Sequence, residues 1–223
     1  MPDAKPDRQP PREPQPGPEP AGERVRAVAD LAAEIRARPC AGPVRLVAVD
    51  GRGRSGKSTL AHALAAACGG APVVRVDDFL YWHDIQSWWP RLEHQALRPL
   101  LSGSPARFRV RDWAGDPLGQ GLAGWAEVRP AEVVIVEGIT ASRQAIAADL
   151  ALALWVSAPR AQRLRRAVAR DGRPRLPLWL EWMRLEDEFF AGDGAERRAA
   201  HVVSGAPVIR CDPATEAVLI GPR

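Results

Sequence analysis

Apolar residues recur along the chain in two rhythms. Val25, Val28, Leu31, Ala32 and Ile35 sit at helical spacing within residues 21–38, and Pro39 and Gly42 stop the pattern, which predicts an amphipathic leading helix. Short apolar runs follow at 44–49, 72–76, 132–136 and 150–156, each the length of a strand buried on both faces. Helical patterns lie between or after them at 58–68, 89–101, 141–148 and 160–171. A parallel strand cannot return through a tight turn and needs a crossover, usually a helix. The alternation therefore predicts a layered α/β domain around a parallel sheet. Further on, Leu178, Trp182, Leu185 and Phe189 share one helical stripe, which assigns Trp182 to the core.

Two segments break the rhythm. Between 107 and 128 the glycines and Pro117 exclude a helix, and alternation around Phe108, Val110 and Trp113 predicts a small hairpin standing off the sheet. Residues 1–20 hold eight prolines among charges and glutamines, with no apolar residue beyond Met1 and Ala4. Burial there cannot offset the entropy of ordering, so a disordered tail is expected before a single domain at 21–223.

Composition narrows the class. The chain has 223 residues, 46% of them apolar, enough for one sizeable core. No run reaches the roughly 18 to 20 apolar residues of a membrane span, and Met1 leads into proline and charge rather than a signal segment. Cys40, Cys68 and Cys211 are odd in number and widely spaced, which suits a reducing, cytoplasmic compartment and neither a disulfide framework nor a zinc cage. A net charge of +4 fits an anionic ligand and is far too sparse for a nucleic-acid coat. His62, His83, His94 and His201 share no ligand spacing.

The clearest chemistry is Gly51-Arg52-Gly53-Arg54-Ser55-Gly56-Lys57-Ser58, which fills GxxxxGK[ST] completely between an apolar strand and a helix. Glycines let backbone N–H groups converge on phosphate oxygens, and the helix N-terminus adds its positive end. Lys57 is the compact charge that reaches the β and γ phosphates of ATP, and the Ser58 hydroxyl is a ligand for Mg²⁺. Of the 31 basic residues only Lys5 and Lys57 are lysine, so the motif holds one of two. Gly51, Gly53, Ser55, Gly56, Lys57, Ser58 and Thr59 are the expected nucleotide contacts.

Carboxylates fall where a parallel sheet binds ligands, at strand ends. Glu137 closes the 133–136 run like the acid of a Walker B strand and is expected at the magnesium ion. Asp77 and Asp78 close the 72–76 run, and either could take the proton of a hydroxyl attacking the γ phosphate. Arg163, Arg166 and Arg170 lie within about 60° of one another around a helix, opposite Ala161, Leu164 and Val168. With Arg173 and Arg175 they read as a lid that stabilises developing phosphate charge. Trp82, Trp88, Trp89 and Trp113 are open to two readings, stacking on a planar base or core packing.

Together the 47–59 segment VAVDGRGRSGKST, the Asp77-Asp78-Phe79-Leu80 step, Val136-Glu137-Gly138-Ile139 and the 163–171 helix resemble the uridine kinase family, near pantothenate kinase and phosphoribulokinase. The resemblance runs in order over residues 44–205. It implies a three-layer P-loop NTPase of NMP-kinase-like fold with about five parallel strands, a substrate hairpin and an arginine-bearing lid. It further implies transfer of the ATP γ phosphate to a nucleoside 5′-hydroxyl, with Asp77 as catalytic base and Glu137 as the magnesium-associated acid. Arg163, Arg166 and Arg170 match basic positions leading into the lid, Arg166 being the one assigned to catalysis with Lys57. Asp112 and Trp113 match an acid–aromatic step of the hairpin, and Asp84 a ribose-holding acid. The hairpin also departs from the family: Arg111, included in the substrate site, replaces a tyrosine, and Asp116 replaces a base-recognising histidine.

Three functions follow as expectations. The first is an ATP- and Mg²⁺-dependent kinase of a nucleoside-like alcohol; the second is a kinase of another metabolite alcohol; the third is a regulator that binds ATP without transferring phosphate. Partners are expected to be small molecules, not nucleic acid or membrane, and a homo-oligomer is compatible with the sequence.

Overall fold

A computed structural model describes residues 22–40 and 42–221; the proline-rich 1–20 segment lies outside them. In chain order the elements are β1 (Glu23–Ala27), α1 (Val28–Ala37), β2 (Arg45–Asp50), α2 (Lys57–Ala67) and β3 (Val73–Arg75). A continuous helical run then comprises α3 (Trp89–Leu92), a π-helical turn (Glu93–Leu97) and α4 (Arg98–Leu101). The hairpin β4 (Ala106–Arg111) and β5 (Leu122–Val128) comes next, followed by β6 (Val133–Glu137) and β7 (Leu150–Ser157). The chain closes with α5 (Arg160–Asp171), α6 (Leu176–Asp193), α7 (Ala195–Arg198), β8 (His201–Ser204) and β9 (Glu216–Ile220).

The main sheet has the order β1-β9-β8-β7-β2-β6-β3. Its five strands from β8 to β3 are all parallel, and the expected three-layer α/β architecture is present. Period two explains how β2 and β6 sit at the centre. Leu46, Ala48, Val134 and Val136 enter one core, against the 89–101 helical run and α6. Val47, Val49, Val133 and Ile135 enter the other, against α1 and α2. A strand that feeds two cores must be apolar at every position, which is why these segments read as unbroken runs.

Three expectations are corrected. The leading helix begins only at Val28, because Glu23–Ala27 pairs antiparallel with β9 as the sheet's edge strand, where Val25 is exposed. Its alternation of charged and small apolar residues suits a one-sided edge. The 141–148 helix is replaced by a 3₁₀ segment, Gln144–Asp149. On α6 the fully buried residues are Trp179, Trp182, Met183, Glu186 and Phe190, so Trp182 is core as expected, but the buried face is rotated from the expected stripe and leaves Leu185 and Phe189 only partly buried against that core.

The edge of the sheet carries a charge network. Glu34 on α1 accepts from Arg38 at 2.7 Å, contacts His201 Nε2 at 2.9 Å and pairs with Arg26 at 2.9 Å. Burial alone would raise its carboxyl, but the bonds from Arg38, His201 and Arg26 outweigh it and hold the pKa down to about 2. A depressed folded pKa stabilises the protein in full above the unfolded value and loses that contribution as pH falls through the folded one. Glu34→Gln should therefore flatten the stability profile between pH 4.5 and about 2, read from urea midpoints across that window.

Candidate active site: a phosphate cradle at the carboxyl edge of the sheet

All five parallel strands end on one cleft of about 1160 Å³. The end of β2 delivers the glycine loop, β3 delivers Asp77 and Asp78, and β6 delivers Glu137. Val156 at the end of β7 and Gly205 after β8 complete the wall. Gly51 has φ of 143°, and a Cβ there would stand 2.3 Å from the Val156 carbonyl oxygen. Gly205 approaches the loop more closely still, a Cβ falling 1.7 Å from the Ser55 oxygen.

The loop presents donors. Among the described residues the backbone N–H groups of Arg54, Gly56, Lys57 and Ser58 have no hydrogen-bond partner. They gather at the N-terminus of α2, where Gly56 takes a left-handed φ of 108°. Convergent free N–H groups at a helix N-terminus make an anion nest suited to phosphate. Lys57 Nζ donates to the Arg52 carbonyl at 3.0 Å and lines the same cleft.

Ser58 Oγ donates to Glu137 Oε1 at 3.2 Å, so two hard oxygens meet beside the nest. Burial pushes the Glu137 carboxyl up and Asp77 adds to this, against the pull of Lys57. Burial and the neighbouring Asp77 raise Asp78 likewise. A divalent cation would relieve this crowding of acids. Among the described residues no three His, Cys, Asp or Glu side chains form a metal cage. Magnesium needs none, since it takes one or two protein oxygens and completes its shell with phosphate and water. Ser58 and Glu137 fit that donor set.

The lid arginines divide. Arg166 donates to the carbonyls of Arg54 at 3.0 Å, Ser55 at 3.3 Å and Gly205 at 2.8 Å, bracing the loop from within the cleft. Arg170 also lines the cleft. Arg163 does not: it is buried and bonded at 2.9 Å to Glu186, whose other oxygen accepts the Gly53 N–H at 2.7 Å. Thr59 lines the cleft, and Ser55 is buried beneath the loop.

The hairpin residues behave differently from one another. Trp113 lines the cleft and donates to the Asp77 carbonyl at 2.9 Å. Arg111 is buried and gives its guanidinium to the carbonyls of Asp112, Asp116, Gly119 and Gly121. Asp112 accepts from Gly115 N and Asp84 from the N–H groups of Gln86 and Ser87, so both cap turns and neither lines the cleft.

No protein-family profile matches the chain, and no curated protein matches it. Solved structures do. A "possible uridine kinase" from Bacillus stearothermophilus superposes with a TM-score of 0.57 at 20% identity, covering 78% of this chain and 96% of that one. The fold is that of a uridine kinase-like P-loop kinase. A protein provisionally named a fructose transport system kinase, from Silicibacter sp. TM1040, matches at 26% identity with a TM-score of 0.49, over 77% of this chain and 87% of its own.

Within this P-loop kinase fold, Asp50, Arg54 and Glu186 shape the site although none is among the candidate residues read from the sequence. Asp50 is fully buried and accepts from Gly51 N at 2.6 Å, Thr140 N at 2.9 Å, and Ser142 N and Oγ at 2.8 Å each. It thereby ties the start of the glycine loop to the segment after β6. Arg54 has a left-handed φ of 65°, held by a 3.0 Å ion pair to Asp171 and by the Trp179 ring 4.8 Å away. Glu186 had one available signal: it is a carboxylate on the apolar stripe of α6. Such a residue needs a partner, and the stripe places it against the loop. Among the described residues no helix is long and apolar enough to cross a membrane.

Proposed function

We propose that the protein is an ATP-dependent phosphotransferase that moves the γ phosphate to the hydroxyl of a small molecule, a nucleoside 5′-hydroxyl first among them. The observation that carries this reading is one cleft holding both the unpartnered N–H groups of the glycine loop and the Asp77 carboxylate. The loop N–H groups and Lys57 bind the β and γ phosphates. Ser58 and Glu137 would hold Mg²⁺, which would supply positive charge against that of the phosphates. Asp77 takes the proton of the attacking hydroxyl, and Arg170, facing the cleft, meets charge spread over the transferring group. Arg166 holds the loop in register through its carbonyl bonds, and Arg163 supports it from behind through Glu186. The single domain at 21–223 would carry the whole activity.

The test is to incubate the full chain with ATP, magnesium and a panel of nucleosides and small alcohols, and to search by mass spectrometry for a product heavier by one phosphate. A phosphorylated nucleoside is the expected result. ATP binding with no product from any alcohol would leave only the regulatory reading standing. A second acceptor class, a non-nucleoside alcohol, is favoured by one observation: Arg111 and Asp116, which replace the family's tyrosine and histidine, are both spent on the hairpin's own backbone.

A further inference from the structure

The turn that carries Asp77 is fastened to the hairpin as well as to the sheet. β3 ends the main sheet and pairs on one side only, through Val73–Arg75 to β6. Past Arg75 the chain leaves the ladder for the 3₁₀ turn Val76–Asp78. The turn closes with two backbone bonds, Phe79 N–H and Leu80 N–H to the Val76 carbonyl at 2.9 and 3.1 Å. The Asp77 and Asp78 carbonyls accept bonds from outside the turn, while among the described residues neither carboxylate receives one. Where the Asp77 side chain stands is therefore set by what holds its backbone.

Three contacts hold it, and all lead to β4 or the loop after it. The Trp113 indole donates to the Asp77 carbonyl at 2.9 Å. Arg91 on α3 sets one nitrogen, Nη2, between the Asp78 carbonyl on the turn and the Arg109 carbonyl on β4, each at 2.7 Å. Phe79 and Phe108 are buried ring against ring with centroids 4.6 Å apart, and the Arg91 guanidinium carbon lies 4.7 Å from the Phe79 centroid.

The chemistry of Arg91 suits a fastening. Both hydrogens of Nη2 are spent on main-chain oxygens on opposite sides of one seam, and a bond from a cation is stronger than a neutral one. Stacking on Phe79 limits how far the guanidinium can swing. Its Nε is buried without a partner among the described residues, an unfavourable arrangement that the two carbonyl bonds offset. Arg91 is not among the residues that line the cleft, so it reaches the chemistry only through the turn.

We infer that Arg91 is a positioning residue for Asp77: with Trp113 it fastens the turn carrying that carboxylate to the hairpin, so that base and hairpin move as one body. The role of Asp77 as base rests on the kinase reading; the fastening does not. A reacting group displaced by about 1 Å costs about 100-fold in rate, which sets the scale of the effect.

The test combines turnover of whichever panel alcohol is phosphorylated fastest with hydrogen exchange on the full chain. Arg91→Met keeps an apolar stem on Phe79 and removes the donors. Its kcat should fall about 10- to 100-fold, with ATP affinity within about twofold of the parent. In an Asp77→Asn background the same change should cost less than about threefold, because no base remains to be positioned. Arg91→Lys, with three donors on one nitrogen, should recover part of the loss. Exchange of the Phe79 and Leu80 amides needs no turnover, and in Arg91→Met it should quicken about 10- to 100-fold beyond any change in β2 and β6. Should Arg91→Met fail to fold, Trp113→Phe, which keeps a ring but removes the N–H on the Asp77 carbonyl, goes through the same cycle. A kcat within about threefold of the parent, or an undiminished loss in the Asp77→Asn background, would overturn the inference. Exchange at Phe79 and Leu80 that quickens no more than in β2 and β6 would overturn it as well. Faster exchange there with no product from the parent chain would sink the kinase reading and leave the fastening standing.

Discussion

Asp77→Asn is expected to lower kcat about 10²- to 10⁴-fold while leaving ATP affinity essentially unchanged. Asp77 sits in the 3₁₀ turn Val76–Asp78 that closes β3, at the carboxyl edge of the sheet and in the cleft with the phosphate nest. Asparagine keeps the size and the hydrogen-bonding capacity of the side chain but cannot take a proton from a hydroxyl. The backbone carbonyl that receives Trp113 Nε1 is untouched, so the hairpin stays docked. The loss therefore belongs in kcat, with the acceptor KM moving little. Lys57→Ala is the contrasting variant, since it removes the charge from the nest and weakens ATP binding itself. Steady-state kinetics with a titration of ATP separate the two patterns. Turnover of Asp77→Asn within about threefold of the parent would exclude Asp77 as the base, and equal ATP affinity of the Lys57→Ala protein would exclude the loop as the phosphate cradle.

The parts of this molecule that were readable in sequence are those whose physics is local. A strand buried on both faces must be apolar throughout, so β2, β6 and β7 announce themselves, and a glycine loop that cradles phosphate must carry its glycines and lysine at fixed offsets. Glu23–Ala27 was hidden because its hydrogen bonds come from β9, nearly the whole chain away. The same holds for Arg111, where sequence position suggests a substrate contact and only the folded turn reveals four carbonyls around its guanidinium. Asp50 was in view beside the loop, but its role depends on Thr140 and Ser142, about ninety residues on. The arginine stripe of α5 shows the limit most clearly. Helical periodicity puts Arg163, Arg166 and Arg170 on one face, yet what each touches is decided by α6 and by the segment after β8.

Arg163→Ala is expected to destabilise the protein by about 3–5 kcal/mol, the largest effect of any single change considered. Arg163 and Glu186 have side-chain exposures of 3% and 0%, and their bond is 2.9 Å long. Both charges were taken out of water on folding, and burial pulls the guanidinium pKa down while the Glu186 charge opposes that pull. Removing the cation leaves a carboxylate in the interior with only the Gly53 N–H as company. Adding Glu186→Gln should restore more than half of the loss, because the amide oxygen still receives Gly53 N–H and no charge remains unpaired. Urea unfolding of the two single variants and the double variant gives the coupling directly. The pair also links stability to chemistry: Glu186 is the only side chain among the described residues bonded to the Gly53 N–H, so the Arg163→Ala loop should bind ATP more weakly even where the protein remains folded. Additive losses in the two single variants would mean that the ion pair contributes nothing beyond its separate parts, and unchanged ATP affinity would mean that the loop holds its shape without support from α6.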